Sequence, residues 1–292
     1  MGDLYIKQML IRFFCILFFS SVAVASQITH YKSIFMAFND GQGQLHIALR
    51  SFEKDGHAEY LIVSADTLET DVKLAADIDP FFPKKLPADC VAQSRFMRLI
   101  SSGELRHSVS NKGLFLTVDL CPSQKPFVRE VITQLPRSKE PIPIAIAVTG
   151  TWLSQHAEDL EWLKRQVSEG RVLVTWVNHS LTHPVKPDFM RSPGIVLEDE
   201  VLKNEQKMLE VGVVPSVFFR FPGLISSDTL MNKLRDLHLI ALGSDAWLAK
   251  GEIPKKGSIV LVHGNGNEPK GILFLMTRYM RQADHWRALN EI

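Results

Sequence analysis

The chain has 292 residues, of which 46% are hydrophobic and 22% charged, and its mean hydropathy is +0.02. This composition is typical of a folded soluble protein and excludes disordered, collagen-like and coiled-coil chains. A net charge of +1 supplies no field of one sign that would attract nucleic acid or an anionic membrane. At this length we expect one large domain, or one large domain with a smaller companion.

Residues 1–26 have the pattern of an export signal. Lys7 and Arg12 precede the apolar run Phe13–Phe19, and small residues follow as far as Ser26. The apolar run is shorter than the ~20 residues that a membrane-spanning helix needs, and the small residues are typical of a signal-peptide cleavage site. We therefore predict cleavage after Ala25 or Ser26, no membrane span in the mature protein, and a periplasmic or secreted location.

Two cysteines, Cys90 and Cys121, remain after this cleavage. An oxidising compartment would allow them to form a disulfide. Two separate buried thiols are an equal alternative, because the spacing does not show whether the two residues lie close together.

Residues 27–112 are predicted to form a small β-rich N-terminal extension. The apolar runs Ile34–Phe38, Leu45–Leu49 and Glu59–Val63 are separated by Asn-Asp-Gly and Asp-Gly sequences. Turn residues of this kind between apolar runs are typical of antiparallel hairpins. The extension contains no cluster of catalytic residue types, and its role stays open among covering the larger domain, binding a ligand and assembly.

From Gly113 to the C-terminus, strand-like and helix-like segments alternate. The predicted helices are Gln155–Val167, Glu198–Val211, Ser227–Leu237 and Gly271–Leu289. The predicted strands are Leu114–Val118, Ile142–Val148, Val172–Val177, Val217–Phe221, Leu239–Leu242 and Ile259–Val262. This alternation predicts a parallel α/β sheet, either open or closed into a barrel.

Five of these strands carry an ionisable residue at or just beyond the C-terminal end. They are Asp119, His179, Arg220, Asp245 and His263. Active sites of α/β folds form at this edge of the sheet, so we expect the five side chains to meet there. His183 follows His179 by four residues, and on a helical turn the two imidazoles would point the same way, as a metal site requires.

The motifs around these residues resemble those of the polysaccharide deacetylase family, the NodB-type carbohydrate esterases. The matching segments, in order, are Thr117-Val118-Asp119, Asn178-His179 with His183, Arg220-Phe221-Pro222-Gly223, Asp245-Ala246-Trp247 and Leu261-Val262-His263. The resemblance covers about residues 113–292. It implies a distorted (β/α) barrel and a metal-assisted hydrolase that removes N-acetyl groups from a glycan such as peptidoglycan or an exopolysaccharide.

The resemblance also implies catalytic roles for individual residues. Asp119 is expected to be the base, and Arg220 to keep its carboxylate ionised and oriented. His263 is expected to be the acid, with Asp245 fixing its tautomer. These assignments follow from motif position alone.

Binding roles are implied in the same way. His179 and His183 are expected to bind a divalent metal, with Zn²⁺ favoured and nickel or cobalt also compatible with imidazole ligands. The backbone N–H of Gly223 is expected to stabilise the oxyanion. Leu261 and Trp247 either line a slot for the acetyl methyl group or belong to the core.

This chain departs from the family pattern at Leu120, where the family has an aspartate that binds the metal. A site without that carboxylate should bind metal more weakly. The thiolate of Cys121 could replace it, but this cysteine could equally be disulfide-bonded or buried. Asp119 could also turn to the metal, in which case the base is lost. Three hypotheses follow: a deacetylase, a catalytically impaired deacetylase-like protein that binds glycan or has a structural role, and a hydrolase of another amide or ester. In the last case the loop Val262–Glu268 would face the substrate, unless it is a plain tight turn.

Overall fold

A computed structural model of the chain describes residues 26–82, 86, 88–185, 194–280 and 285–292. The predicted export signal, residues 1–26, therefore lies outside the described residues except for Ser26. Among the described residues, no helix is both long and apolar enough to cross a membrane.

The described residues form a four-stranded and a seven-stranded sheet. The strands are β1 (Ile28–Asn39), β2 (Leu45–Lys54), β3 (His57–Ser64), β4 (Thr70–Leu74), β5 (Phe115–Leu120), β6 (Ile142–Val148), β7 (Val172–Asn178), β8 (Phe218–Phe219), β9 (Ile240–Ala241), β10 (Ala246–Trp247) and β11 (Ile259–His263). The α-helices are α1 (Ala75–Ile78), α2 (Ala88–Ala92), α3 (Arg95–Ser101), α4 (Glu130–Thr133), α5 (Gly150–Gln155), α6 (Ala157–Ser168), α7 (Leu197–Glu210), α8 (Asp228–Asp236) and α9 (Pro269–Phe274).

The N-terminal sheet is antiparallel, in the order β1-β2-β3-β4. Asp40 closes the first turn, because its Oδ1 accepts hydrogen bonds from the N–H groups of Gln42 and Gln44. The three predicted strands are present and each is longer than its apolar run. The sequence did not predict β4, which lies at the edge of the sheet and is largely exposed, so it lacks a continuous apolar pattern.

The larger sheet is parallel, with the strand order β10-β11-β5-β6-β7-β8-β9. Its central strands are apolar over nearly their whole length, as expected for strands covered on both faces. The predicted fold class, a distorted (β/α) barrel preceded by a β-rich extension, is confirmed. Strands β8 and β9 are only two residues long, shorter than their apolar runs, and β10 is equally short and was not predicted.

The predicted helices correspond to α6, α7 and α8 within two residues at each end. At α8, Ser227 is the N-cap and accepts a hydrogen bond from the N–H of Leu230. The prediction of one helix over Gly271–Leu289 is wrong: α9 ends at Phe274, a π-helical turn Leu275–Tyr279 follows, and a 3₁₀ turn begins at Leu289. Trp286 instead forms a bridge to Leu114, and Leu289 and Ile292 are buried.

Two apolar clusters explain how the extension is attached. One lies between the large sheet and its helices and includes Val118, Ile146 and Leu163. The other combines inward-facing barrel residues such as Phe115 and Ala145 with residues of the extension. In the latter cluster the extension contributes Ile47, Leu49, Val63, Phe96 and Ile100. The extension therefore shares a core with the barrel and covers part of its interior.

Candidate active site

The side chains of β5 alternate between the two faces of the large sheet, one covered by the helices and the other facing the barrel interior. Leu116, Val118 and Leu120 belong to the apolar cluster beneath the helices. Thr117 and Asp119 lie on the opposite face, because successive residues of a strand point to opposite sides. Leu120 is fully buried in apolar surroundings. The Leu120 side chain therefore does not reach the site.

Asp119 forms a buried ion pair with Arg220. The Nη1 atom of Arg220 lies 2.5 Å from Oδ1 of Asp119 and 2.7 Å from the hydroxyl of Thr117. Nη2 donates to the carbonyl of Gly243 at 3.0 Å. Burial raises the pKa of the Asp119 carboxyl, but the charge of Arg220, followed by that of His179, more than offsets this and holds the pKa below its usual value. The carboxylate is therefore ionised at neutral pH.

His179 is oriented by the same arginine through its backbone. Nδ1 of His179 lies 2.9 Å from the carbonyl oxygen of Arg220. Since a carbonyl only accepts, Nδ1 carries the proton and Nε2 offers its lone pair. That Nε2 lies 3.1 Å from Nε2 of His183 and 3.7 Å from Oδ2 of Asp119. Burial lowers the pKa of both imidazoles, that of His183 to about 3.

The two histidines converge through a loop and not through a helical turn. The backbone leaves β7 and takes positive φ at Ser180 (68°) and His183 (56°). Two residues of α7 hold this loop. Asn204 donates to Oδ1 of Asn178 at 2.7 Å, and Glu200 accepts from both the N–H and the hydroxyl of Thr182, at 2.8 and 2.7 Å. These polar contacts replace the hydrogen bonds that a helix would have made.

Cys121 lies on the site side of the loop after β5. Its Sγ is 3.6 Å from Nε2 of His179, and its carbonyl accepts a hydrogen bond from the buried Nδ2 of Asn265 at 2.8 Å. Both Cys121 and the exposed Cys90 are free, so the structure contains no disulfide between them. Burial, followed by the charge of Asp119, raises the pKa of the Cys121 thiol.

Cys121, His179 and His183 form a group that fits a metal ion. One donor atom of each residue lies within 4.8 Å of the other two. A soft sulfur and two imidazole nitrogens are a donor set that suits zinc and related transition metals. The two predicted metal ligands are thus brought together, and the thiol of Cys121 lies beside them.

His263 lies beside Asp119, because β11 and β5 are neighbours with these two residues in register. Its Nδ1 is 2.8 Å from Oε2 of Glu268, and the same oxygen accepts from Nε1 of Trp247 at 2.7 Å. Glu268 was not predicted as a site residue, because it lies outside the motifs. The sequence feature that could have indicated Glu268 is its position in the loop that directly follows His263 at the end of β11.

The predicted role of Asp245 is corrected by these contacts. Its Oδ2 is 2.8 Å from Nδ1 of His107 and accepts from Ser258, while its Oδ1 accepts from the N–H of Ile259. The segment around His107 pairs with Ser258 in an isolated bridge, which brings the imidazole to this carboxylate. Asp245 therefore fastens that segment to the start of β11, and Glu268 takes the place beside His263.

The predicted substrate-binding residues lie around this edge. Leu261 is two residues before His263 on the same face of β11 and is buried. The ring of Trp247 lies 5.7 Å from that of His263, centre to centre. Gly223 has a φ of 66°, and a Cβ added there would lie 3.7 Å from Val185, in the loop after His183. Contact with a substrate stays a prediction for all three residues.

Comparison with known proteins agrees with the fold. Residues 106–241 match the family model for polysaccharide deacetylase, and residues 29–85 match that for the RP012 protein N-terminal domain. A family 4 carbohydrate esterase from Bacillus anthracis is similar in fold, with a TM-score of 0.51 and 20% identity over 67% of this chain and 90% of the esterase.

Two further solved structures are similar. The Bc1960 peptidoglycan N-acetylglucosamine deacetylase has a TM-score of 0.51 and 16% identity, covering 65% of this chain and 92% of the deacetylase. A family 4 carbohydrate esterase pseudoenzyme from Bacillus anthracis has a TM-score of 0.45 and 13% identity, covering 88% and 89% of the two chains.

Proposed function

Because the chain carries a domain of the polysaccharide deacetylase family, we propose that it is an exported hydrolase that removes N-acetyl or related acyl groups from a glycan such as peptidoglycan or an exopolysaccharide. The observation that carries the proposal is the pair Asp119 and His263. The two residues are in register on adjacent strands, and each is held by a charged partner of its own. One strand edge therefore presents both a base and an acid.

Asp119 is the base in this proposal. The charge of Arg220 lowers the pKa of the Asp119 carboxyl, so the carboxylate stays ionised. Arg220 bonds only Oδ1, and among the described residues no hydrogen bond reaches Oδ2. Oδ2 can therefore accept the proton of a water that attacks the acetyl carbon.

His263 is the acid. The Glu268 carboxylate holds Nδ1, so the other ring nitrogen is left to exchange a proton with the substrate. A carboxylate at this position also stabilises the imidazolium. The charged ring can then give its proton to the amine nitrogen as the C–N bond breaks.

His179 and His183 would hold a divalent metal, most suitably Zn²⁺, between their Nε2 atoms. When bound, such an ion polarises the acetyl carbonyl and lowers the pKa of a water molecule. The N–H of Gly223 is proposed to stabilise the oxyanion, and Leu261 and Trp247 to receive the acetyl methyl group. Gly223 has a positive φ, a backbone conformation that a side chain would disfavour.

The proposal is tested by measuring acetate released from N-acetylated oligosaccharides and from peptidoglycan by zinc-loaded protein. We expect His263→Ala to lower the turnover by about 10²–10⁴-fold, the range that a general acid contributes. The exposed His57 provides a control, and His57→Ala should leave the turnover unchanged. Turnover by His263→Ala equal to that of the wild type, in folded protein, would contradict the role of His263.

A second candidate is a deacetylase-like protein that binds glycan without cleaving it. The observation that favours it is Leu120, which places no metal-binding carboxylate in the site. It predicts saturable glycan binding with no acetate release at any metal loading. Leu120→Asp is not a suitable test of restored activity, because the new carboxylate would enter an apolar cluster and destabilise the fold.

The remaining hypothesis, a hydrolase of another amide or ester, has its own signature. Acetate release from small esters but not from glycans would favour it.

A further inference from the structure

We propose that the thiolate of Cys121 is the third protein ligand of the metal, in place of the carboxylate that the family uses. The centre would then consist of two imidazoles and one thiolate. This inference deepens the proposed function and rests on it for the identity of the site. It concerns the donor set alone and does not require that the protein turns over a glycan.

The distances between the donor atoms support this assignment. With zinc–sulfur and zinc–nitrogen bonds of usual length, a tetrahedral ion places sulfur and nitrogen about 3.6 Å apart and two nitrogens about 3.3 Å apart. In this structure Sγ of Cys121 lies 3.6 Å from Nε2 of His179, and the two Nε2 atoms lie 3.1 Å apart. Two of the three donor–donor distances are therefore close to those of a zinc site, and the third pair, Cys121 and His183, lies within 4.8 Å.

The alternation of β5 explains why the ligand is residue 121. Asp119 and Cys121 both contact the His179 side of the sheet, whereas Leu120 between them lies in the opposite cluster. The side chain of residue 120 therefore supplies no ligand on this face. The sulfur enters the site one residue later.

The loop that carries Cys121 is held independently of any metal. Asn265 is fully buried and donates to the carbonyl of Cys121. Gly264 permits this close approach, because a Cβ there would lie 2.5 Å from Cγ1 of Val118. The Val262–Glu268 loop, which the sequence left open between a substrate-facing loop and a plain turn, therefore positions the Cys121 loop through Asn265.

The chemistry of the donor set defines the metals that the site would select. A thiolate carries one negative charge, as a carboxylate does, so the charge beside Asp119 is preserved when the thiol proton passes to solvent on metal binding. Sulfur favours zinc, cobalt and other transition metals over magnesium, calcium and manganese. We expect zinc to bind and excess magnesium to leave zinc binding unaffected.

Titration of Co²⁺ into chelator-treated protein tests the inference. A sulfur ligand should produce an intense sulfur-to-cobalt charge-transfer band in the near ultraviolet that saturates at one ion per chain. Cys121→Ser should abolish the band and weaken cobalt binding by more than the roughly 10–100-fold that loss of an outer-sphere partner costs. The exposed Cys90 is the matched control, and Cys90→Ser should keep both band and affinity.

Zinc-edge X-ray absorption of the wild-type protein provides a measurement that does not depend on the folding of a variant. One sulfur scatterer at about 2.3 Å is expected. Bound cobalt without the charge-transfer band, or a zinc shell of nitrogen and oxygen only, would overturn the inference and leave the proposed hydrolase standing. An intact band without acetate release from any glycan would count against the proposed hydrolase alone.

Discussion

The molecule contains two buried arginine–carboxylate pairs among its described residues, and they differ in how many carboxylate oxygens accept hydrogen bonds. Arg50 in the N-terminal extension binds Glu205 on α7 through Nε, 2.6 Å from Oε2, and Nη2, 3.1 Å from Oε1. Tyr31 also donates to Oε2, at 3.0 Å. In the active-site pair, Arg220 bonds Oδ1 of Asp119 alone. Oδ2 faces His179 at 3.7 Å.

This difference separates a structural pair from a reactive one. Both arginines are fully buried, so either carboxylate, if removed, leaves an uncompensated charge in the interior. At Glu205 both oxygens are occupied and nothing remains for a ligand. At Asp119 one oxygen is available at the strand edge where the histidines meet.

Asp119→Asn should have the largest effect on the reaction. The amide keeps an oxygen for Arg220 but cannot act as a base, so we expect acetate release to fall by about 10²–10⁴-fold. The variant should still bind one cobalt ion per chain, because the proposed ligands are unchanged. Acetate release within tenfold of the wild type would show that another group takes the proton.

Glu205→Gln makes the same change in the structural pair. It leaves Arg50 buried without a counter-charge, so we expect the free energy of unfolding to fall by about 3–5 kcal/mol. Turnover per folded molecule should not change, since Glu205 does not touch the site. Urea unfolding followed by circular dichroism measures the first quantity, and acetate release the second.

The control for this experiment lies on the same helix. Asp199 and Lys203 form an exposed i, i+4 pair at 3.1 Å, and Asp199→Asn should cost less than about 1 kcal/mol. Equal losses at Asp199 and Glu205 would mean that burial does not distinguish the two pairs. A loss of turnover in Glu205→Gln would mean that the extension acts on the active site.

The sequence predicted the parts of the fold that depend on local pattern. The strands that became β5, β6, β7 and β11 are continuous apolar runs, and α6, α7 and α8 have apolar residues at helical spacing. The long C-terminal helix failed because burial of Trp286 and Leu289 against the barrel overrides local propensity. The edge strand β4 was missed because it is largely exposed and so lacks a continuous apolar pattern.

In the site, the residues on strands were easier to predict than their partners. Asp119, His179, Arg220 and His263 come together as the motifs implied, since strand ends of a parallel sheet meet at one edge. The partners depend on loop conformations that spacing alone does not fix. Asp245 contacts His107, Glu268 lies beside His263, and Asn265 donates a hydrogen bond to the Cys121 carbonyl.

Glu268→Gln should have the smallest of the expected effects, because it leaves the base and its arginine in place. The amide can still accept a hydrogen bond from Nδ1 of His263 but carries no charge to stabilise the imidazolium. We expect turnover to fall by roughly 10-fold, a part of what general-acid catalysis contributes, with little change in KM.

Asp245→Asn is the matched control. Its carboxylate lies against His107 and the start of β11, so turnover per folded molecule should stay at the wild-type level. If Asp245→Asn lowers turnover more than Glu268→Gln does, the orienting carboxylate is Asp245 after all. His263 would then be oriented during the reaction by Asp245 and not by the Glu268 contact that the structure shows.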